Sequence, residues 1–182
     1  MKAAQKIAAA ALTLLALTAQ AFPIAEPGTE GFVVVVGSTG PVVATYQGNS
    51  ASFSNNLFLG STFIFNNHIT PVGTTFLLGS FAAGTELIFR LDVTNTGNQF
   101  FTGPASRNPD QHEHARVQGD WMPGETLVSF EDLFGGPFNY NDLSFSFTNT
   151  VSLPAVPEPE TYALLLVGLS VLGAVARRRR SA

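Results

Sequence analysis

The sequence predicts a mainly β protein whose body is a single antiparallel β-sandwich. Period-two alternation of apolar and polar residues is frequent between residues 22 and 153, and helical periodicity is nearly absent there. Turn-forming glycine and asparagine residues separate the apolar runs at short intervals. The two ends differ from this body, because an N-terminal signal helix and a C-terminal transmembrane helix are expected to flank it.

Eight short strands are expected in the body. The segment 87–93 places four apolar side chains on one face and Arg90 and Asp92 on the other, and the segment 143–148 alternates in the same way. In chain order the expected strands are 32–36, 41–46, 57–65, 74–81, 87–93, 114–118, 125–130 and 143–148. This spacing is typical of a sandwich and compatible with a jelly-roll connection, although it does not define the topology.

The first 21 residues have the pattern of a secretory signal peptide. Lys2 and Lys6 precede an apolar run over residues 7–17, and Ala19-Gln20-Ala21 is a small-residue cleavage site. We therefore expect export of the protein and a mature chain that begins at Phe22.

The body is acidic once the ends are set aside. Six of the nine basic residues lie in the two end segments, so the body has three arginines against eleven acidic residues, a net charge of −8. Nucleic-acid binding needs clustered Lys or Arg, so no nucleic-acid partner is expected. The chain has no cysteine, which excludes disulfides and thiolate chemistry and leaves stability to the phenylalanine-rich core.

Three segments of different composition follow the body. Residues 154–160 are rich in Pro and Glu and are expected to form a stiff, extended linker. Residues 161–176 are apolar and would span about 24 Å as a helix, against about 30 Å for a bilayer core. Residues 177–182 begin with four arginines, Arg177, Arg178, Arg179 and Arg180, and are expected to stay cytoplasmic by the positive-inside rule.

The order Pro157-Glu158-Pro159, apolar helix and basic tail resembles the PEP-CTERM sorting signal of Gram-negative bacteria. The resemblance implies that an exosortase, a membrane-embedded protease, cuts near the motif. The protein would then cross the inner membrane, stay anchored there transiently and reach the cell surface or the extracellular space. The alternative is an ordinary permanent C-terminal anchor, which needs no protease.

The body has a resemblance of its own. Several ordered pieces of the body are similar to an uncharacterised bacterial domain family, namely Phe130-Glu131-Asp132-Leu133, Gly135-Gly136, Tyr140-Asn141-Asp142-Leu143 and further pieces between residues 93 and 117. That family has a Phe-Glu-Asp-Leu, glycine-rich, Asp-Tyr-Asn-Asp signature and is often found directly ahead of PEP-CTERM signals. The resemblance implies no particular activity.

The same segment has the ingredients of a calcium site. Calcium takes six to eight oxygen ligands from carboxylates, amides, backbone carbonyls and water. The candidate ligands are Glu131, Asp132, Asn139, Asn141 and Asp142, with Asp110 as a weaker addition. The alternative is a purely structural loop between two strands, because Asn and Asp also favour turns by bonding to their own backbone.

The sequence supports a zinc site or a catalytic site less well than a calcium site. His112 and His114 share one face of a strand, but zinc needs three or four protein ligands and His68 is remote in sequence. The chain has no Gly-x-Ser-x-Gly, no His-Glu-x-x-His and no phosphate-binding glycine loop, so no enzymatic activity is expected.

Two functions are therefore compatible with the sequence. The first is a structural protein of the cell surface or extracellular matrix, with a cation stiffening the 131–142 loop. The alternative is a calcium-dependent module that binds carbohydrate, such as exopolysaccharide, through that loop and Trp121. Trp121 would stack on a sugar ring, although it would serve equally well as packing over a sandwich edge.

Overall fold

Short antiparallel strands make up most of the computed structural model, which describes residues 21–155, 167–170 and 172. The strands are β1 (Val33–Val36), β2 (Gly40–Gly48), β3 (Asn55–Leu59), β4 (Thr62–Asn66), β5 (Thr75–Phe81), β6 (Glu86–Leu87), β7 (Phe89–Val93), β8 (Gln99–Phe101), β9 (Ala115–Met122), β10 (Glu125–Phe130), β11 (Leu143–Thr148) and β12 (Thr150–Leu153). A short 3-10 helix covers Ala105–Arg107.

The strands form three antiparallel sheets. The largest has the order β5-β2-β11-β10-β9, the second has the order β4-β3-β7-β8, and a small sheet has the order β12-β1-β6. The mainly β class predicted from the alternation is therefore confirmed. The small third sheet was not expected.

The two larger sheets share a phenylalanine-rich core. Phe89 of β7 stacks on Phe147 of β11 with 4.2 Å between ring centroids, and it meets Phe145 edge-on at 5.6 Å. Phe145 and Phe147 are two residues apart on one strand, so both point to the same side of the sheet. All three side chains are fully buried. These contacts join the four-stranded and five-stranded sheets as the layers of a sandwich are joined.

The predicted strands 125–130 and 143–148 match β10 and β11 in both bounds. The predicted strand 57–65 is wrong as a single element, because β3 and β4 form a hairpin in which Leu59 pairs with Thr62. Gly60 begins the two-residue turn with φ of 58°, a conformation that glycine adopts without strain. The predicted strand 87–93 is also wrong as a single element, because Leu87 belongs to β6 of the small sheet and Phe89–Val93 form β7 of the four-stranded sheet. Strands β8 and β12 were not predicted.

The targeting segments fall largely outside the described residues. This holds for the signal peptide over residues 1–20, for Pro157, Glu158 and Pro159, and for the basic tail with its four arginines. Of the predicted transmembrane segment 161–176, only residues 167–170 and 172 are described, and they are helical. Within the described ranges, no helix has the length and apolar character needed to cross a membrane.

Replacing Phe89 with alanine should destabilise the domain by about 3–5 kcal/mol, because it removes a fully buried ring and leaves a cavity between the two large sheets. Urea unfolding monitored by circular dichroism measures this loss. Ile88→Ala is the control. Ile88 is the residue before Phe89 and is 40% exposed, so its replacement should change stability much less. Equal losses in the two variants would contradict a core centred on Phe89.

Candidate functional site

The loop 131–142 connects β10 to β11, and its two ends lie together. Phe130 pairs with Leu143 across the two strands, and the backbone N–H of Asp142 donates to the carbonyl of Phe130 at 3.0 Å. As a result, Glu131 and Asp132 at the start of the loop meet Asp142 at its end. One carboxylate oxygen from each residue lies within 4.8 Å of the other two, and all three residues are more than nine-tenths buried.

Glu131 organises the loop around its own carboxylate. Its Oε1 accepts the backbone N–H of Leu133 at 3.1 Å, and its Oε2 accepts the N–H groups of Asn139 at 2.9 Å and Tyr140 at 3.3 Å. Hydrogen bonds to an ionised acceptor are stronger than neutral ones. The carboxylate of Glu131 thus holds the first and last parts of the loop together. The sequence did not indicate this structural role.

Asp132 and Asp142 each accept a hydrogen bond from a nitrogen donor. The backbone N–H of Asp132 donates a hydrogen bond to Oδ2 of Asp142 at 2.9 Å. The Nδ2 group of Asn55 donates a hydrogen bond to Oδ2 of Asp132 at 2.8 Å. Asn55 begins β3 in the opposite sheet and is fully buried. Sequence reasoning missed Asn55, since it lies 77 residues from its partner and no local pattern connects the two.

Asp110 reaches the loop but does not join the carboxylate cluster. Its Oδ2 accepts the N–H of Gly135 and faces the Nε2 of His114, both at 2.9 Å, while the Nδ1 of His114 faces the carbonyl oxygen of Glu131 at 2.9 Å. Burial alone would raise the pKa of Asp110, but the hydrogen bonds from His114 and Gly135 hold it below its ordinary value. Both ring nitrogens of His114 therefore face oxygen atoms of neighbouring residues.

The three arginines of the body are all paired with carboxylates outside the cluster of Glu131, Asp132 and Asp142. Arg116 bonds to Glu30 at 2.7 Å and lies over the ring of Tyr140, 4.2 Å from its centroid. Arg90 pairs with Asp92 and Arg107 pairs with Glu86. Of the four ion pairs formed by the described residues, none includes a member of the carboxylate cluster. No arginine among residues 21–155 therefore pairs with Glu131, Asp132 or Asp142.

This concentration of negative charge affects proton binding. Burial raises the pKa of Asp142 to about 8, and the charges of Glu131 and Asp132 add to the effect. Burial likewise raises the pKa of Asp132. At neutral pH, and with no cation bound, Asp142 accordingly keeps a proton.

A surface pocket of about 350 Å³ opens beside the cluster. Its lining residues are Ser50, Ser52, Phe53, Asp132, Leu133, Asn139, Asn141 and Asp142. The N–H of Ser50 donates to the carbonyl of Asn141 at 2.8 Å, and this hydrogen bond holds two of the lining segments together. The structure thus brings together four of the predicted ligands, namely Asp132, Asn139, Asn141 and Asp142, while Glu131 belongs to the adjoining cluster.

Trp121 lies far from this pocket. Trp121 is the residue before Met122, and Met122 pairs with Glu125 at the start of β10. Glu131 follows the opposite end of β10. Six residues of strand separate the two positions, which is about 20 Å. Trp121 is half-buried on the edge strand β9. The carboxylate cluster and Trp121 consequently do not form one binding site.

The histidine pair does not assemble a zinc site either. His112 is exposed and His114 is buried. Among the described residues, the one grouping of three or more His, Cys, Asp or Glu side chains that could hold a metal ion is Glu131, Asp132 and Asp142. The oxygen-only character of this group suits a hard cation such as calcium rather than zinc.

The fold and the loop define a β-sheet domain with a buried acidic cluster, and the comparisons with known proteins concern the segment that follows it. Residues 155–180 match the family described as "PEP-CTERM protein-sorting motif". The match supports a protein that exosortase sorts toward the cell surface, as the sequence predicted. No curated protein and no solved structure matches the chain. The resemblance of the body to a further domain family is not confirmed.

The stability of the metal-free protein should fall as pH rises from about 4 to 8. Over this range folded Asp142 keeps a proton that the unfolded chain has released above its ordinary pKa of 3.8, so the slope from this group reaches about 1.4 kcal/mol per pH unit. Asp142→Asn mimics the protonated side chain and should flatten the slope, making the variant more stable than the wild type at pH 8. Urea unfolding of the full chain in detergent with EDTA measures this.

Asp120→Asn is the matched control for this pH dependence. Asp120 is exposed on β9 in the same sheet, so its replacement should leave the slope unchanged. Identical slopes for the wild type and Asp142→Asn would show that Asp142 does not hold a proton in the folded protein.

Proposed function

We propose that this chain is an exported structural protein of the cell surface or extracellular matrix, sorted and processed through its C-terminal signal. The observation that supports it is the match of residues 155–180 to the sorting motif. Strand β12 ends at Leu153, so the signal begins two residues after the folded body ends. The body and the signal are thus adjacent in sequence and can act independently.

The composition of the linker suits cleavage outside the folded domain. Three prolines in residues 154–160 disfavour helix, and an extended chain of that length spans about 20 Å. The pairing of β12 with β1, in which Leu153 lies opposite Val33, anchors the end of the body. A protease at the membrane can then reach Pro157-Glu158-Pro159 without unfolding any strand.

A structural role agrees with the chemistry of the body. His114, the buried histidine, faces Asp110 and Glu131 with its two ring nitrogens, so both nitrogens are engaged within the fold. Glu131 is occupied by three backbone N–H groups. The polar groups of the loop therefore support the fold, and we propose no enzymatic activity.

Carbohydrate binding is the second candidate function. The observation that favours it is the half-buried Trp121, which lies beside the exposed Met122 on an edge strand. An aromatic ring in such a position can stack on the apolar face of a sugar. Because the acidic loop lies about 20 Å away, a sugar bound at Trp121 would not be held through a cation at the loop.

Replacing Pro157, Glu158 and Pro159 with alanine should leave a longer product in the membrane fraction, because exosortase would no longer recognise its site. Fractionation with immunoblotting, and mass spectrometry of the mature C terminus, measure this. Pro154→Ala, which changes a proline of the same linker outside the motif, should be processed normally. Unchanged processing of the triple variant would contradict the proposal, and a wild-type protein that keeps its full C terminus would indicate a permanent anchor.

The Trp121→Ala variant separates the two candidate functions. If the protein binds carbohydrate through this ring, cosedimentation of the full chain with exopolysaccharide from the producing cells should fall severalfold in the variant and persist in EDTA. Met122→Ala serves as the control on the neighbouring position. Equal cosedimentation of wild type and Trp121→Ala would remove the carbohydrate-binding candidate.

A further inference from the structure

We propose that Asp132, Asp142 and Asn55 bind one calcium ion where the 131–142 loop meets the first residue of β3. The proposal goes beyond sorting and a structural role, because it assigns a ligand to the exported body and does not depend on how the chain is processed. Three independent features of the structure carry it: uncompensated charge, a buried amide oxygen without a partner, and the identity and spacing of the ligand atoms.

The first feature is the charge. Glu131, Asp132 and Asp142 are 1%, 3% and 8% exposed, and buried carboxylates are costly unless they are protonated, paired or bound to a cation. The three arginines of the body are committed to Glu30, Glu86 and Asp92, and His114 is committed to Asp110. No arginine of residues 21–155 thus pairs with the cluster, so its charge is reduced either by a bound proton or by a cation, and one divalent cation would replace the proton.

The second feature is Asn55. Its side chain is 0% exposed, and its Oδ1 atom has no hydrogen-bond partner among the described residues. The Nδ2 atom of the same amide donates to Asp132 at 2.8 Å. The two atoms of an amide are about 2.3 Å apart, so Oδ1 lies within about 5 Å of the Asp132 carboxylate. A buried carbonyl oxygen without a donor is rare in folded proteins, and a cation at the cluster would satisfy it.

The third feature is the chemistry of the ligands. Every candidate is an oxygen, from carboxylates or from side-chain amides, as calcium prefers. The three carboxylate oxygens lie within 4.8 Å of one another. Separations below this limit allow one ion with metal–oxygen distances of about 2.3–2.6 Å, as calcium has, to contact both Asp132 and Asp142. The adjoining pocket, lined by Asn139 and Asn141, offers two more amides and room for water ligands.

Such an ion would connect the two large sheets. Asn55 belongs to the four-stranded sheet, while Asp132 and Asp142 flank β10 and β11 of the five-stranded sheet. Calcium bound between them would act as a cross-link in a chain that has no cysteine. Because calcium is available outside cells, the cross-link would form after export.

Calcium titration of the full chain tests the proposal. The chain is purified in detergent, stripped with EDTA, and melted at increasing concentrations of calcium chloride, with magnesium chloride as the ionic-strength control. For an extracellular site with a Kd of about 0.1–1 mM, the melting temperature should rise by about 3–8 °C at ten times the Kd. Isothermal calorimetry should give a saturable heat with calcium. Absence of both signals at 20 mM calcium would overturn the proposal.

Variants localise the ion. Asp132→Asn and Asp142→Asn should lose the calcium-induced rise, and Asn55→Ala should weaken calcium binding. Asp120→Asn should keep the full rise, because it makes the same chemical change at an exposed position. Melting in EDTA shows whether each variant is folded. A full rise in Asp142→Asn would place the ion elsewhere and overturn the assignment.

Discussion

The antiparallel pairing of β10 with β11 supports both the core and the loop of this protein. It aligns Phe145 and Phe147 on one side of β11, where they receive Phe89 from the other sheet. The same register places Phe130 opposite Leu143, so the ends of the 131–142 loop are held together and their carboxylates meet. The acidic cluster is thus a consequence of strand register, since a shift of one residue would turn alternate side chains to the other face.

The distribution of charge explains why the cluster is unusual. The body has only three arginines, and each of them is paired with a carboxylate outside the cluster. Asp110 and His114 form a further pair beneath the loop. What remains is a buried set of acids beside an amide oxygen without a donor. Such a combination is costly unless a proton or a metal ion compensates it.

Much of the architecture could be predicted because strand formation leaves a local signal. The alternation over 125–130 and 143–148 predicted β10 and β11 with correct bounds. Prediction failed at 57–65, where the two-residue turn Gly60-Ser61 between two apolar runs was taken as part of one strand, and at β12, whose partner β1 lies more than a hundred residues away. The candidate ligands of the loop were predicted because they are close in sequence, while Asn55 was missed because only the packing of two sheets brings it there.

The sequence by itself determined the β class, the acidic, cysteine-free body and the sorting signal, because each depends on composition or on a contiguous pattern. Only the tertiary structure decided which polar groups act together. It joined Asn55 to Asp132, diverted Asp110 to His114 and separated Trp121 from the acidic loop. The physical reason is that strand pairing and sheet packing set distances between residues remote in sequence, and neither composition nor motif spacing encodes those distances directly.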